Sequence, residues 1–380
     1  MARTVTWDEL RDLASFEARR GLAISLYLGL DPSVAATAGD AETRLHSLLD
    51  GASKRNGGSR EDLTHDQRVA LREDVGRIRD YFESEFERDG TRGLAVFCSS
   101  LDGVWRPRPL MEAVPDRVTV GPLLHLAPLV PLVGRGDGAL VVVVGREQGR
   151  FYRLRGGRLE EVIDRFEEQP RRHDQGGWAQ ARMQRHVDEL AQEHLRRVAE
   201  ELDRRVRRHG GTQVVVVASE EAGAEFLELV APETRAAIAG VAAAEAHAQA
   251  GELLRAATPV LERRHAEREG ELVSRWREEA GRDGRAAAGW AATLAAASDA
   301  RVEVLLYGAG ANRPARRCPA CGRLALEGET CPLDGTPFER SDDGLDLAVH
   351  QTLAHGGTVW PVRHGQDLDP VEGIGAILRF

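Results

Sequence analysis

Lysine is almost absent from this 380-residue chain: Lys54 is the only one among 51 basic residues, and arginine supplies the rest. The codon usage of a GC-rich genome accounts for that bias, and arginine also suits bidentate contact with phosphate. Positive charge is not in excess, since 61 acidic residues leave a formal net charge of −10. That excludes a generally basic nucleic-acid coat but allows a local basic patch. No run of about 18 apolar residues occurs, so no membrane span is expected. The opening residues Met1 to Asp8 lack the apolar core of a signal peptide, which implies a cytoplasmic protein. Four cysteines are too few for a disulfide scaffold. There is no Walker loop, no Ser-His-Asp order, no zinc-hydrolase spacing and no repeat of solenoid period. Gly308-Ala-Gly310 follows a strand but leads into a cysteine insert, so it reads as a turn and not as a dinucleotide loop.

What is present is globular: 42% of residues are apolar and 29% charged, and the length allows two or three domains. The pattern predicts a mixed α/β (α+β) chain in three parts, 1–133, 137–241 and 242–380. In the first, Leu22–Leu30 and Gly93–Ser99 read as buried strands, Ala41–Ala52 and Asp66–Phe86 as helices, and Pro107–Pro131 as a proline-rich extended stretch. Cys98, inside an apolar strand, reads as a core residue. The second opens after Gly134–Gly138 with a meander of short strands (Ala139–Gly145, Arg150–Leu154, Leu159–Ile163). A long polar helix (Trp178–Arg208) and a valine-rich strand (Thr212–Ala218) follow. The third predicts helices over Ala243–Ala256, Pro259–Ala280, Gly284–Ala297 and Asp346–His355. Its strands are Arg301–Tyr307, Gly357–Val362 and Ile374–Phe380.

Three cysteines fall within fourteen residues. Cys318-Pro-Ala-Cys321-Gly is matched by Cys331-Pro-Leu-Asp334-Gly, two knuckles that each present two ligands turned by proline and glycine. Such a pair suits a tetrahedral structural Zn2+, here held by Cys318, Cys321, Cys331 and Asp334 in an insert spanning 316–338. An oxygen in the fourth place weakens the grip relative to four thiolates. A metal-free relic of such a ribbon, held by local packing, is the competing reading.

The segment Arg171-Arg-His-Asp-Gln-Gly176-Gly177-Trp178-Ala-Gln180-Ala-Arg182 is the most informative. Twin glycines before a helix N-terminus allow close backbone approach to an anion. Arg171 and Arg172 precede them; Arg182 and Arg185 follow. Trp178 can stack on an unpaired base. Gln180 can hold a water near a susceptible ester or phosphodiester. From Arg171 to His209 the chain carries ten arginines against seven acidic residues, a basic island in an acidic chain. An ordinary helix start with Trp178 as a packing anchor fits the same residues. His173, His186 and His194 fit no helical metal pair.

The closing Gly373-Ile-Gly-Ala-Ile-Leu-Arg-Phe380 resembles the Gly-Ile-Gly-Gly-Ile-Leu-Arg-Tyr ending of archaeal and eukaryotic class-1 peptide release factors. With the glycine loop, the basic helix and the cysteine insert, the chain from about Gly138 onward is similar to the bacterial archaeo-eukaryotic release factor family, relatives of Pelota and of the hibernation factor Balon. The resemblance implies a three-domain architecture with a zinc ribbon in the last domain. It also implies binding in the A site of the large ribosomal subunit, with tRNA or peptidyl-tRNA as partner, and leaves delivery by a translational GTPase open. The family's Gly-Gly-Gln is not kept, since Trp178 follows Gly177. Gly177-Trp-Ala-Gln180 instead matches the Gly-x-x-Gln of the Vms-type branch, which cuts in the 3′ end of tRNA. By that resemblance Gly176, Gly177 and Gln180 would be catalytic, and Arg171, Arg172, Trp178, Arg182 and Arg185 would grip RNA. Peptidyl-tRNA hydrolysis or tRNA-end cleavage in ribosome rescue is one reading; a non-catalytic A-site hibernation or rescue factor is the other.

Overall fold

A computed structural model of the chain describes residues 5–32, 37–54, 63–88, 90–133, 138–146, 148–155, 157–167, 180–209, 211–245, 247–282, 284–363 and 368–380. Its contacts gather into two units: Met1–Gly134 together with Arg268–Phe380, and Arg135–Glu267. Among the described residues no helix is long and apolar enough to cross a membrane.

The first unit opens with α1 (Trp7–Ala14), β1 (Ala23–Gly29), α2 (Ala38–Lys54), α3 (His65–Ser84), β2 (Gly93–Ser99), β3 (Val104–Leu110) and β4 (Arg117–Gly121). The strands make an antiparallel sheet in the order β3-β2-β1-β4. β1 and β2 are mostly apolar and buried at every position, so they take the centre. Pro107 and Pro109 cannot donate to a ladder, and β3 accordingly lies at an edge. The end of the stretch expected to be extended is instead a 3-10 helix, Ala127–Leu132, with a proline in its first turn. Ile24, Leu26 and Leu28 face Leu45, Leu49 and Ile78 of α2 and α3. On the opposite face, Tyr27 and Phe97 enter a core that also contains Trp290, Leu305, Leu353 and Ile374. The first and last parts of the chain therefore share one apolar core.

The second unit carries β5 (Leu140–Val144), β6 (Gln148–Arg155), β7 (Arg158–Glu167), α4 (Gln180–Arg208), β8 (Val214–Ala218), α5 (Glu220–Leu229), α6 (Pro232–Ala237) and β9 (Ile238–Ala242). The five strands order as β7-β6-β5-β8-β9. The meander is antiparallel, whereas β5, β8 and β9 run parallel. Strands buried on both faces read as continuous valine runs, and β5 and β8 do so. Val142 and Val216 face α4; Val141 and Val217 face the opposite side, where α7 (Ala250–Gly281) packs Leu253, Ala257 and Val260.

The two helices expected over 243–256 and 259–280 are thus one. Pro259 removes one backbone bond, but the apolar stripe Leu253, Ala257, Val260 and Leu261 continues through it and holds the helix against the sheet. Elements α5, α6 and β9 were not anticipated; the Ser219 cap, which accepts a hydrogen bond from Ala222 N, was their local signal.

The chain returns to the first unit with β10 (Ala286–Ala288), α8 (Gly289–Ser298), β11 (Val302–Gly308), β12 (Ala315–Arg317), β13 (Leu324–Ala325), β14 (Glu339–Ser341), α9 (Gly344–Ala354), β15 (Thr358–Val362) and β16 (Ile374–Leu378). A four-stranded sheet runs β10-β16-β11-β15, and a small one runs β13-β12-β14. The helix expected from Gly284 begins only at Gly289. Ala286–Ala288 instead pairs with β16, and that pairing overrides alanine's helix preference. Helices α1, α8 and α9 lie between the unit's two large sheets, and Leu272, Val273 and Trp276 of α7 cover the far face of the second.

Buried polar contacts join the two ends of this unit. Asp346, near the start of α9, accepts hydrogen bonds from the backbone N–H of Leu126 (2.7 Å) and Ala127 (2.9 Å), and lies 3.1 Å from His125 Nδ1. Tyr27 Oη donates to the His125 carbonyl. Burial alone would raise the Asp346 carboxyl, but His125 and these N–H donors outweigh it and hold it below its usual value. His350, one turn further along α9, is buried with Nε2 unpartnered, and desolvation depresses its pKa.

Two predictions follow from this packing. A Cβ on Gly149 would sit 2.6 Å from Val198 Cγ2 of α4. Gly149→Ala should therefore lower stability to urea by about 1–3 kcal/mol, and Val198→Ala in the same chain should restore most of the loss. A stable single variant would mean that α4 is not closely held there. The second concerns acid. Burial in the fold disfavours protonated His350, so the unfolded chain takes up the proton more readily and stability falls as pH drops below about 6.5. Asp346, depressed in the fold, adds a further loss at lower pH. His350→Gln should flatten the decline in urea midpoint between about pH 7 and pH 5; an unchanged slope would remove His350 as its source.

Candidate nucleic-acid interface and metal cluster

Helix α4 begins at Gln180 and runs 29 residues, about 43 Å at 1.5 Å per residue. Leu195, Val198, Ala199, Leu202 and Val206 recur at helical spacing and are buried in the cluster formed with β5, β6 and β8. Gly149 supplies the close approach under Val198. Among the described side chains the buried stripe lies in the C-terminal half of the helix, and the backbone of Gln180 lies about 22 Å along the axis from Leu195. Gln180, Arg182 and Arg185 occupy the first two turns. Gly176, Gly177, Trp178, Arg171 and Arg172 fall outside the described residues, as does His173. His194 is buried in the helix and takes no part in a metal cluster among the described residues.

Cys318, Cys321, Cys331 and Asp334 bring one ligand atom each within 4.8 Å of one another. The two knuckles are near copies. Cys318 N–H donates to the Arg323 carbonyl and Cys331 N–H to that of Thr336, both at 2.8 Å. Gly322 and Gly335 follow the second ligands with φ of +77° and +73°, a left-handed turn that glycine makes without strain. Asp334 therefore stands in its knuckle where Cys321 stands in the other. The Cys321 and Cys331 sulfurs are 3.6 Å apart, and Cys318 Sγ lies 3.5 Å from Asp334 Oδ2. A metal at about 2.3 Å from each sulfur in tetrahedral geometry requires sulfurs about 3.8 Å apart, so the cluster has the size of a metal cage.

Hydrogen bonds from Thr336 hold the Asp334 carboxyl down at about 2, so it is an anion at neutral pH. The Arg323 amide favours the Cys321 thiolate, but desolvation and the neighbouring Cys318, Cys331 and Asp334 outweigh it and push that thiol to about 12. Without a cation Cys321 keeps its proton, and a dication would displace it. Glu42, His46 and Glu83 also cluster, and a 3.2 Å contact between His46 and Glu83 accounts for that grouping.

The terminal Gly-Ile-Gly-Ala-Ile-Leu segment is a core strand. β16 is buried along its length. A Cβ on Gly375 would lie 2.7 Å from the Trp276 indole nitrogen, which donates to the Ala287 carbonyl. Phe380 is 70% exposed. Cys98 is an inert core thiol, donating to the buried Asp74 carboxylate at 3.0 Å, with burial foremost in raising its pKa.

A mixed sheet carrying one long, arginine-bearing helix defines the class of the second unit: an α/β domain with an arginine-rich helix seated on its sheet. Residues 125–262 match the model of Bacterial archaeo-eukaryotic release factor family 10. Over that segment the chain is similar to the bacterial archaeo-eukaryotic release factor family. Similar solved structures include the archaeal translation termination factor aRF1, at 17% identity over 99% of each chain with a TM-score of 0.26. Archaeal Pelota, in a model of it bound to the ribosome with ABCE1, is 13% identical over 100% of this chain and 95% of that one, with a TM-score of 0.45. S. cerevisiae Dom34, described as a translation termination-like factor in RNA quality control that interacts with Hbs1, is 10% identical over 76% and 79%, with a TM-score of 0.42. Likeness of this degree fixes neither an activity nor a partner. No curated protein matches the sequence.

Proposed function

We propose that the protein is a ribosome-associated, release-factor-like rescue factor that acts on peptidyl-tRNA through the Gly176–Gln180 loop. The observation that carries this reading is the place of Gln180 in the first turn of α4, whose later turns are seated on the sheet, within a segment that matches a release-factor family model. The twin glycines immediately before that helix let RNA backbone come close. Gln180, neutral and both donor and acceptor, would orient a water or hydroxyl at the tRNA 3′ end. Trp178 would stack on a terminal base, and Arg171, Arg172, Arg182 and Arg185 would meet phosphates in the A site of the large subunit. A translational GTPase is the partner that would deliver it.

Large subunits carrying peptidyl-tRNA should release peptide or 3′-trimmed tRNA when the protein is added, and Gln180→Ala should lose most of that activity while still co-sedimenting. Equal activity of parent and variant would sink the catalytic reading. Tryptophan in place of the glutamine that follows the twin glycines in release factors favours a second reading, a non-catalytic A-site occupant. Binding without turnover by the parent would select it.

The cysteine cluster is assigned a structural Zn2+. Held by three thiolates and Asp334, zinc would cross-link the two knuckles and take no part in the reaction. The purified chain should contain about one zinc. Asp334→Cys should hold it more tightly against a chelator, and Cys318→Ser should lose it. Metal content indifferent to both changes would leave the knuckles held by packing alone.

A further inference from the structure

A second cationic surface lies at the other end of α4. In β6, Gly149 and Phe151 face α4, so the alternation of a strand puts Arg153 and Arg155 on the same face. The register sets Glu160 opposite Arg153 and Arg158 opposite Arg155, which adds both to that face. The last turns of α4 bring Arg205, whose guanidinium lies 5.5 Å from the Phe151 ring, together with Arg208 and His209. Five arginines thus meet two carboxylates, Glu160 and Glu201, and both of these are engaged. Glu160 lies 3.4 Å from Arg155, and Glu201 lies 2.7 Å from Arg204 and 2.8 Å from Arg205.

Arg153 has no such partner among the described residues, and its Nε is buried without a hydrogen bond. Burial, then Arg155 and Arg205, lower its basicity; burial, then Arg153, Arg208 and Arg205, lower that of His209. Like charges that outnumber their counter-ions on one face raise the free energy of the unbound protein, and an anion relieves that repulsion.

We infer that this face binds the phosphodiester backbone of RNA. Guanidinium forks match phosphate oxygens in pairs. The turn between Arg155 and Arg158 contains Gly157, where an added Cβ would meet nothing within 4 Å among the described residues, which leaves room for a strand to come close. A protein-binding surface needs an apolar centre. The exposed large apolar side chains among the described residues, Val241, Leu333 and Phe380, are not among these. Arg205 is about 37 Å along α4 from Gln180, so the surface is a separate contact and stands whatever chemistry the loop performs.

The test uses the full chain and a labelled single-stranded oligouridine of about 20 nucleotides, titrated between about 50 and 250 mM salt. Arg153→Gln with Arg208→Gln should weaken binding about tenfold and reduce the slope of log affinity against log salt by about 1.4, the share of two phosphate contacts. Thermal stability should not fall, because the change removes repulsion. Parental affinity and slope in that variant would overturn the inference; if Arg182→Gln with Arg185→Gln alone lost binding, the loop reading would survive. Poly-glutamate competing as well as unlabelled RNA would overturn the assignment to RNA. Loss of turnover in Gln180→Ala with the salt slope intact would bear on the loop alone.

Discussion

The seat of α4 on the five-stranded sheet is the constraint from which the rest of the second unit follows. Leu195, Val198, Leu202 and Val206 fix which face of the helix turns inward, and Gly149 lets the backbone of β6 come close enough for Val198 to lock the register. Each turn of a helix is bonded to the next, so the whole of α4 takes its direction from that contact. Two consequences share it. The backbone of Gln180 is set about 22 Å along the axis from Leu195, and Arg205 and Arg208 are set down beside Arg153 and Arg155.

In the first unit, the residues Gly373 to Leu378 that carry the resemblance to release factors form a core strand, and Gly375 answers to packing. Gly375 makes room for the Trp276 indole, and β16 sits between β10 and β11 at the centre of its sheet. The same economy governs Asp346. One carboxylate caps two backbone N–H groups of the first third and meets His125, so a single side chain on α9 ties together residues more than two hundred positions apart. Breaking such a contact leaves a buried charge, which is why the two ends of the chain stay together.

The cluster of three cysteines and Asp334 rests on repetition of a short backbone motif rather than on long-range packing. Each knuckle closes on itself through its own hydrogen bonds, so the four ligand atoms are placed before any cation arrives. Asp334 keeps the geometry and alters the chemistry: a carboxylate already ionised at neutral pH replaces a thiol that would have to lose a proton.

Much of this was legible in the residues. The valine runs of β5 and β8, the meander, the long arginine-rich helix and the paired knuckles all act within a few positions along the chain, where hydrophobic period, turn chemistry and ligand spacing operate. What needed tertiary structure is what depends on a distant partner. Pro259 lies inside a helix because a sheet holds both sides of it, and Ala286–Ala288 forms a strand because β16 offers an edge. Arg153 and Arg208 become one surface only when a hairpin and a helix end are folded together. Sequence alone determined the local elements and the metal knuckles, since their energies are short-ranged; the tertiary structure decided the shared core and the grouping of charges, since burial and electrostatics act across space and not along the chain.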